Sequence, residues 1–499
     1  MLGKWSHRWL RTFTALLLCL LPFILLGVIL FTARAKFTDF HVLNTDEIDY
    51  WAEAASITRN GLVNNNAGYF GFNADGHARL LNYGAHAPFV LSPYALVGHV
   101  TASEPITIPF TNFLMLSISL LAFYMMTKSL RVLTFTTLAL FLFLPFLMYF
   151  FSGMVEVLIF AGVLLILPFH QRLFGENSSG GIRVWYFIIV LVWSLFRITN
   201  LFLLAPLFLL ELQESRKKGW TVLKYFFVSL VMFLILSLLS TTYPWSFIGQ
   251  FLRSSTKVQF FFRHALSSAY HFLSPGEGDV FEVGLRYIYL LWFFFLGIRF
   301  IKVRKTASRT ETTFLLGQVL VLSLNLAFIV AFYEFDGYRG FRMLSPILFF
   351  SVISWQMQTK KFVPKWIVPA FFSIAWIGFL VAFIPHSASF YNNNVTNRLY
   401  PSPKSKILEL ITFNPSPKDR WENSIYMDLF SYRGLDYEHF TPGLGIMEFR
   451  NDELDDILAK GTPDVLKARY LISAEAIEFP GYKKLGTDQE ISLYEKLGD

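Results

Sequence analysis

Long apolar runs separated by short polar stretches fill the first 385 residues of the chain. A helix needs about 20 apolar residues to cross a hydrocarbon core about 30 Å thick, because each residue adds about 1.5 Å. This pattern indicates an α-helical polytopic membrane protein. Runs near the required length predict single spans at 12–33, 106–127, 222–240, 285–301, 313–333, 343–358 and 367–385.

Two further apolar runs are too long for one ordinary helix. The run 132–169 is interrupted at Ser152-Gly153, and the run 184–212 is interrupted at Arg197-Ile198-Thr199-Asn200. Each run is therefore predicted as a pair of helices with its turn on the outer side. The total becomes about 11 spans.

Basic residues cluster in the loops that this scheme places inside. Cytoplasmic loops carry an excess of Lys and Arg, so the bias predicts a cytoplasmic N-terminus. The large outer loops are then 34–104 and 241–284, and the chain beyond 385 lies outside the cell inner or plasma membrane. Arg34 and Lys36 are exceptions, but the summed bias decides the orientation. The inner basic residues are Lys128, Arg131, Arg172, Arg183, Arg216, Lys217, Lys218, Lys302, Arg304, Lys305, Arg309, Lys360, Lys361 and Lys365.

Composition excludes a soluble protein and argues against a nucleic-acid partner. Hydrophobic residues make up 54% of the chain, Phe alone numbers 56, and the mean hydropathy is +0.47. The net charge of +8 comes from basic residues spread over short loops, as the positive-inside bias requires, rather than from one binding face. The single cysteine, Cys19, excludes an internal disulfide.

The composition changes after residue 385, which divides the chain into a transmembrane domain, 1–385, and an extracytoplasmic soluble domain, 386–499. Short β patterns at 468–473 and 491–495 and a capped helix pattern from Asn451 to Lys460 predict a small α/β domain. The domain has no metal-ligand spacing, nucleophile motif or phosphate loop. A structural or acceptor-docking role is therefore expected.

A dense acidic stretch follows the first predicted span. Asp46, Glu47 and Asp49 lie within four residues, although only 16% of the chain is charged. Carboxylates beside membrane segments are costly and tend to mark function. The alternative is a helix start, with Asn44 or Thr45 as the cap and the acids offsetting the helix dipole. Both interpretations can hold, because a capped turn would also orient the carboxylates.

The predicted topology collects further polar residues on the outer side. Glu156 follows the turn at Ser152-Gly153, and cations come from several loops. Acids and a surplus of cations at one interface suit a reaction on an anionic lipid head group, since guanidinium groups match phosphate oxygens. For any single cation, interfacial snorkelling is the favoured explanation, so the case for phosphate binding depends on the collection. The candidate phosphate-binding residues are His86, Arg197, Arg253, Lys257, Arg263, His264, Arg339 and Arg342.

Several short motifs are arranged as in a known family. They are Asp46-Glu47, Tyr50-Trp51, Tyr83-Gly84-Ala85-His86-Ala87-Pro88, the Glu156 turn with the Arg197 break, and the segment 337–342 before a Pro-containing helix. In this layout residues 1–385 resemble the GT-C superfamily of membrane glycosyltransferases. The closest likeness is to the branch with protein O-mannosyltransferases and lipid A aminoarabinose transferases. A Lys-Pro-Pro segment common in that branch is His86-Ala87-Pro88 here.

The resemblance implies a polyprenyl-phosphate sugar donor and Asp46 as general base, with Glu47 beside it as a second catalytic candidate. Glu156 corresponds to an acid tied to metal or acceptor, and Asp49 is grouped with it. The leaving phosphate needs charge neutralisation, either from the outer cations or from a divalent metal. Asp46 and Glu156 suit Mg²⁺ or Mn²⁺.

The sequence therefore predicts an inverting glycosyltransferase that acts at the outer membrane face on a lipid, glycan or protein acceptor. A transporter or lipid flippase is the alternative class. Transporters place polar residues near the bilayer midplane and often show repeats. Here the acids lie at one face and no repeat is visible. A catalytically inactive scaffold of the same fold is a third alternative.

Overall fold

Helices make up most of the structure, and a small sheet follows them in the chain. A computed structural model describes residues 2–42, 45–62, 70–72, 78–80, 87–175, 178–214, 219–241, 257–274, 280–332, 339–358, 378, 381, 384–399, 407, 410–412, 422, 424–428, 445–449, 468–473, 481–488 and 491–497. The predicted helix 451–460 lies outside these residues, as does most of the predicted span 367–385.

The main helices follow the apolar runs of the sequence. In chain order they are α1 (Leu2–Cys19), α2 (Leu21–Ala33), α3 (Thr45–Asn60), α4 (Ala87–Thr101), α5 (Thr107–Thr127), α6 (Leu130–Phe141), α7 (Leu144–Phe150), α8 (Glu156–Leu173), α9 (Gly180–Ser194), α10 (Ala205–Glu214), α11 (Gly219–Thr241), α12 (Lys257–Leu273), α13 (Val280–Val303), α14 (Arg309–Phe332) and α15 (Arg339–Gln358).

Several described helices are long and apolar enough to cross a membrane. Four qualify singly, namely Thr107–Thr127, Glu156–Leu173, Phe281–Val303 and Arg309–Phe332, and the number rises to six if each of two bent pairs is one span. Helices of this length and hydropathy make the chain a membrane protein. The count of about 11 spans stays a prediction.

Two of the predicted spans are bent rather than straight. The axes of α1 and α2 differ by 60°, and those of α6 and α7 differ by 73°. Pro22 lies at the start of α2 and Pro145 at the start of α7. Proline fits the first helical turn but cannot continue a preceding helix, because its ring clashes and it has no N–H. The length of an apolar run does not reveal such bends.

The two interruptions expected from the sequence fall between helices. Ser152-Gly153 lies between α7 and α8, and Arg197 precedes a 3₁₀ turn, Ile198–Leu204, between α9 and α10. At the second break the Asn200 side-chain amide donates to the carbonyl of Trp193 at 2.9 Å. The same carbonyl accepts the backbone N–H groups of Phe196 and Arg197, so the Asn200 amide adds a side-chain contact to the end of α9.

Helix α8 lies at the centre of the bundle and carries the site at its first residue. It packs against α5, α9 and α15, and 78% of its residues are buried. A helix that is apolar on all sides is stable where other helices or lipid surround it, and here other helices do so. Gly162 permits this packing, because an added Cβ would overlap the Trp193 indole of α9.

The described part of the outer loop predicted at 34–104 is largely helical. α3 and α4 pack against each other, and α4 also packs on α5. Trp51 Nε1 donates to the carbonyl of Ser103 at 2.7 Å, and Thr58 Oγ1 donates to the carbonyl of Ala95 at 3.0 Å. A short antiparallel pair, β1 (Phe70–Phe72) and β2 (Ala78–Leu80), also belongs to this loop. The packing ties the acidic start of α3 to the bundle.

A five-stranded mixed sheet forms the C-terminal unit. Its strands are β3 (Ser424–Asp428), β4 (Gly445–Phe449), β5 (Tyr470–Ser473), β6 (Tyr482–Asp488) and β7 (Ile491–Lys496), in the order β4-β3-β5-β7-β6. β3 pairs in parallel with β4 and β5, and the other pairs are antiparallel. The strands predicted at 468–473 and 491–495 coincide with β5 and β7. Short helical turns at 384–399, called here the connecting segment, precede the sheet.

The predicted orientation can be tested by thiol labelling of intact cells. In a chain whose Cys19 is replaced, the exposed residues Glu104 and Lys484 serve as outer positions, and Ser179 and Thr306 serve as inner positions. We expect Glu104→Cys and Lys484→Cys to react with an impermeant thiol reagent, because the basic loops should lie inside. Ser179→Cys and Thr306→Cys should react only after permeabilisation. Labelling of Thr306→Cys in intact cells would contradict the orientation.

Candidate active site

Asp46 stands at the start of α3, where it combines a helix-end position with solvent access. α3 begins at Thr45, and Asp46 and Glu47 fill its first turn. Acids are favoured there because the helix dipole places partial positive charge at the N-terminus. The Asp46 side chain is 43% exposed, so a substrate can reach its carboxylate.

Arg342, in the first turn of α15, joins Asp46 to the rest of the site. Its Nη1 donates to Asp46 Oδ2 at 2.6 Å, its Nε donates to Glu156 Oε1 at 2.6 Å, and its Nη2 donates to Tyr50 Oη at 3.1 Å. One planar guanidinium thus contacts three side chains from two other helices. Such charge-assisted hydrogen bonds are short and define the geometry of the carboxylates.

Glu156 is the buried acid of the site and interacts with a second arginine. Its side chain is 1% exposed, and its Oε1 lies 3.5 Å from Arg197 Nη2. Arg197 Nη1 also donates to the backbone carbonyl of Arg342. Burying a carboxylate is costly unless cations and hydrogen bonds compensate it. The two arginines supply that compensation, so the two acids and two guanidiniums balance in charge.

A chain of hydrogen bonds orients the turn that leads into Glu156. Tyr94 Oη donates to Asn112 Oδ1 at 2.7 Å, and Asn112 Nδ2 donates to the carbonyl of Met154 at 2.7 Å. Within the turn, the backbone N–H of Met154 donates to Ser152 Oγ at 3.2 Å. Because α4, α5 and this turn are joined in this way, the first residue of α8 has a defined position.

Glu47 lies on the buried side of α3. Arg398 of the connecting segment donates to both of its carboxylate oxygens, with Nη2 2.6 Å from Oε1. The side chains of Glu47 and Arg398 are 0% and 1% exposed. A carboxylate enclosed in this manner is not accessible to a substrate. The two neighbouring acids therefore differ in accessibility: Asp46 faces outward, and Glu47 is buried.

Tyr50 contributes a hydrogen-bonding group rather than a base. Burial raises the pKa of the Tyr50 phenol well above its ordinary value, although the nearby Arg342 acts in the opposite direction. The phenol therefore stays neutral at physiological pH. Among the groups around Arg342, the carboxylate of Asp46 combines exposure with the ability to accept a proton.

The described residues of the site do not by themselves form the donor set of a divalent metal. Among the described residues, no three His, Cys, Asp or Glu side chains are close enough to hold a metal ion together. Asp46 and Glu156 share the guanidinium of Arg342, and a cationic neighbour opposes a second cation. The described residues of the site therefore do not by themselves make up a donor set for Mg²⁺ or Mn²⁺, and metal dependence stays a prediction from the sequence.

The likeness of this chain to known structures is weak. The crystal structure of the Archaeoglobus fulgidus oligosaccharyltransferase in complex with Zn and sulfate aligns with a TM-score of 0.43 and 11% identity, over 87% of this chain and 64% of that one. The apo form of the same protein aligns with a TM-score of 0.42 and 11% identity, over 87% and 66%. The chain thus spans less than two thirds of that protein's length in both alignments. At these values the likeness assigns neither a fold nor a function.

Neither of the other two comparisons finds a relative. No protein-family model matches the chain, and no curated protein matches it.

The remaining predicted phosphate-binding residues are not gathered around Arg342 in the described part of the chain. Arg263 is exposed on α12, and His264 lies beside it with Nε2 3.4 Å from Ser268 Oγ. α12 packs on α14 rather than on α3 or α8. Other candidates cannot be placed: His86 and Arg253 lie outside the described residues, as do the side chains of Asp49, Lys257 and Arg339.

Three residues of the site were missed by the sequence reasoning. Asn112 is a polar residue inside an apolar run, and this position could have marked it as a buried hydrogen-bonding group. Tyr94 and Arg398 carry no comparable signal, because tyrosines and arginines are common in outer segments. Only their contacts in the folded chain distinguish them.

Proposed function

We propose that this chain is an integral-membrane glycosyltransferase that moves a sugar from a polyprenyl-phosphate donor to an acceptor at the outer membrane face, with inversion. The observation that carries the proposal is the pairing of a solvent-accessible carboxylate, Asp46, with a buried carboxylate, Glu156, through Arg342. The arrangement lies where helix ends meet at one end of a membrane bundle.

The exposed carboxylate of Asp46 has the role of general base. It accepts the proton of an acceptor hydroxyl as the hydroxyl oxygen forms a bond to the anomeric carbon of the donor. The bond between that carbon and the phosphate oxygen breaks at the same time, and its electron pair leaves with the lipid phosphate. Attack opposite the leaving group inverts the configuration of the sugar.

Arginine supports the departure of the phosphate. Positive groups held in place before the reaction stabilise charge that develops in the transition state without reorganisation. Arg342 is 19% exposed and Arg197 is 10% exposed, so their charge lies near the solvent boundary at which a donor would bind. Glu156 contacts both guanidiniums, and the carbonyl of Arg342 also accepts a hydrogen bond from Arg197. Arg342 in turn contacts Asp46.

The location of the site supports a lipid-linked donor. α5, α8 and α14 are of membrane-spanning length, and the site lies at the helix ends that the charge bias predicts to be outside. Nucleotide sugars are normally absent outside, and the sequence contains no nucleotide-binding motif. A polyprenyl phosphate, in contrast, presents its head group at the membrane surface.

Sugar transfer by the purified full-length protein tests the proposal. We expect a polyprenyl-phosphate sugar to be consumed in the presence of a lipid, glycan or protein acceptor, with inverted configuration in the product. A nucleotide sugar should not replace the donor. A parallel assay in vesicles measures lipid translocation. Translocation of the donor without sugar transfer would favour the flippase alternative and contradict the transferase.

A further inference from the structure

The connecting segment returns to the site and inserts an arginine beneath it. Arg398 is separated by 351 residues from Glu47, yet the two form a two-pronged ion pair that is inaccessible to solvent. Arginine presents two N–H groups in the spacing of carboxylate oxygens, so this pairing specifies orientation as well as distance.

Backbone and aromatic contacts fasten the same residue to the chain just before α3. The backbone N–H of His41 donates to the carbonyl of Arg398 at 2.8 Å. The Arg398 guanidinium lies 5.7 Å from the centroid of the Phe40 ring, and the Phe40 ring meets that of Phe151 edge-on at 5.4 Å. Arg398 therefore touches the entry to α3 as well as its first turn.

Glu47 is also packed against the turn that leads into Glu156. A Cβ added to Gly153 would lie 3.0 Å from Glu47 Cβ and 3.2 Å from Glu47 Oε2. A larger residue at Gly153 would force the carboxylate away. The ion pair thus lies between the segment that carries Asp46 and the segment that carries Glu156.

We propose that Arg398 is a positioning residue of this site: by holding Glu47 it fixes the first turn of α3, and with it Asp46, against Glu156. The inference rests on the proposed function for its catalytic consequence. Arg398 does not touch the reacting groups. It couples the segment that leads to the C-terminal sheet with the carboxylate that takes the proton.

The physical reason is that a buried ion pair selects one geometry. Its charges lose their hydration, so any displacement that breaks the two hydrogen bonds is strongly unfavourable. Catalysis is sensitive to such displacement, because a shift of about 1 Å at the reacting groups can lower the rate about 10²-fold. A contact beneath the base can therefore control turnover from a distance.

A matched buried pair provides the control for an experiment. Arg183 and Glu211 lie 3.1 Å apart, and their side chains are 8% and 4% exposed. They connect α9 to α10 near the opposite end of α8, which is about 27 Å long at 1.5 Å per residue. Arg183→Gln removes a buried ion pair of the same kind without touching the first turn of α3.

The experiment compares full-length Arg398→Gln, Arg398→Lys and Arg183→Gln with the wild type. Hydrogen–deuterium exchange of the α3 amides reports positioning, and kcat and the donor KM report its consequence. We expect faster exchange in α3 and about a 10²-fold loss of kcat for Arg398→Gln, with the donor KM unchanged. Arg398→Lys should lose less, because it keeps the charge but not the fork. Arg183→Gln should change neither quantity.

A double variant keeps the test informative if Arg398→Gln does not fold. Glu47→Gln/Arg398→Gln leaves no charge at the position of this pair and should fold, yet its kcat should be about 10²-fold below that of the wild type, since the pair acts as one unit. Wild-type exchange and kcat in the Arg398 variants would overturn the inference, and so would an equal loss in Arg183→Gln. If α3 responds but the wild type transfers no sugar, the positioning role stands and the proposed function fails.

Discussion

Replacement of Asp46 by asparagine should lower turnover about 10²–10⁴-fold, the usual contribution of a positioned general base. Asparagine keeps the size of the side chain and an oxygen that can accept the hydrogen bond from Arg342. It also suits the start of a helix as well as aspartate does. It cannot accept the proton of the acceptor hydroxyl. The measurement is kcat of the purified, folded variant with a polyprenyl-phosphate sugar, beside the wild type.

A second acid of the same outer loop supplies the control. Asp39 Oδ2 accepts a hydrogen bond from the backbone N–H of Lys36 at 2.7 Å within a local turn. Asp39→Asn makes the same chemical change away from the guanidinium of Arg342, and its turnover should stay close to that of the wild type. Donor affinity should change little in either variant. Near-normal turnover of folded Asp46→Asn would refute the base and leave Asp46 as a helix-start acid.

Arg342→Gln should have the second largest effect, on turnover and on stability together. Loss of one preorganised donor to developing charge typically costs about 10²–10³-fold in kcat. Glu156 would also lose a guanidinium 2.6 Å away while remaining buried. Breaking a buried ion pair lowers the free energy of unfolding by about 3–5 kcal/mol. We expect a smaller loss of stability here, because Arg342 is 19% exposed. Steady-state kinetics and thermal unfolding measure the two effects.

Two companion variants separate stability from catalysis. Glu156→Gln in the Arg342→Gln background removes the buried charge, so thermal stability should recover while turnover stays low. Arg342→Lys keeps the charge but lacks the planar fork whose three nitrogens contact Asp46, Glu156 and Tyr50, so its turnover should be intermediate. If folded Arg342→Gln turned over at the wild-type rate, the guanidinium would have no part in the reaction.

The helical layout could be predicted from the sequence because it depends on local patterns. The apolar run 106–127 corresponds to α5, and the polar interruptions at Ser152-Gly153 and Arg197 separate helices. Hydrophobic periodicity is set by residues within a few turns of one another, so it can be recognised without tertiary information. The acids of the 46–47 pair were also located correctly at a helix start.

The bend angles and the strand order of the C-terminal sheet could not be predicted from local sequence patterns. Pro22 and Pro145 are visible in the sequence, but the size of each bend depends on the helices packed around it. β5 and β7 could be recognised as short β patterns in the sequence. The order of the sheet could not, because strand order depends on pairing between distant segments.

The sequence by itself determined the class of the molecule, the main helix breaks and the acid-rich start of α3, since all three depend on neighbouring residues. Only the tertiary structure decided that Asp46 faces outward while Glu47 is buried. It also placed Arg342 on Asp46 across 296 residues and Arg398 on Glu47 across 351. The physical reason is that an ion pair is selected by distance and desolvation in three dimensions. Neither quantity is encoded in the spacing of residues along the chain.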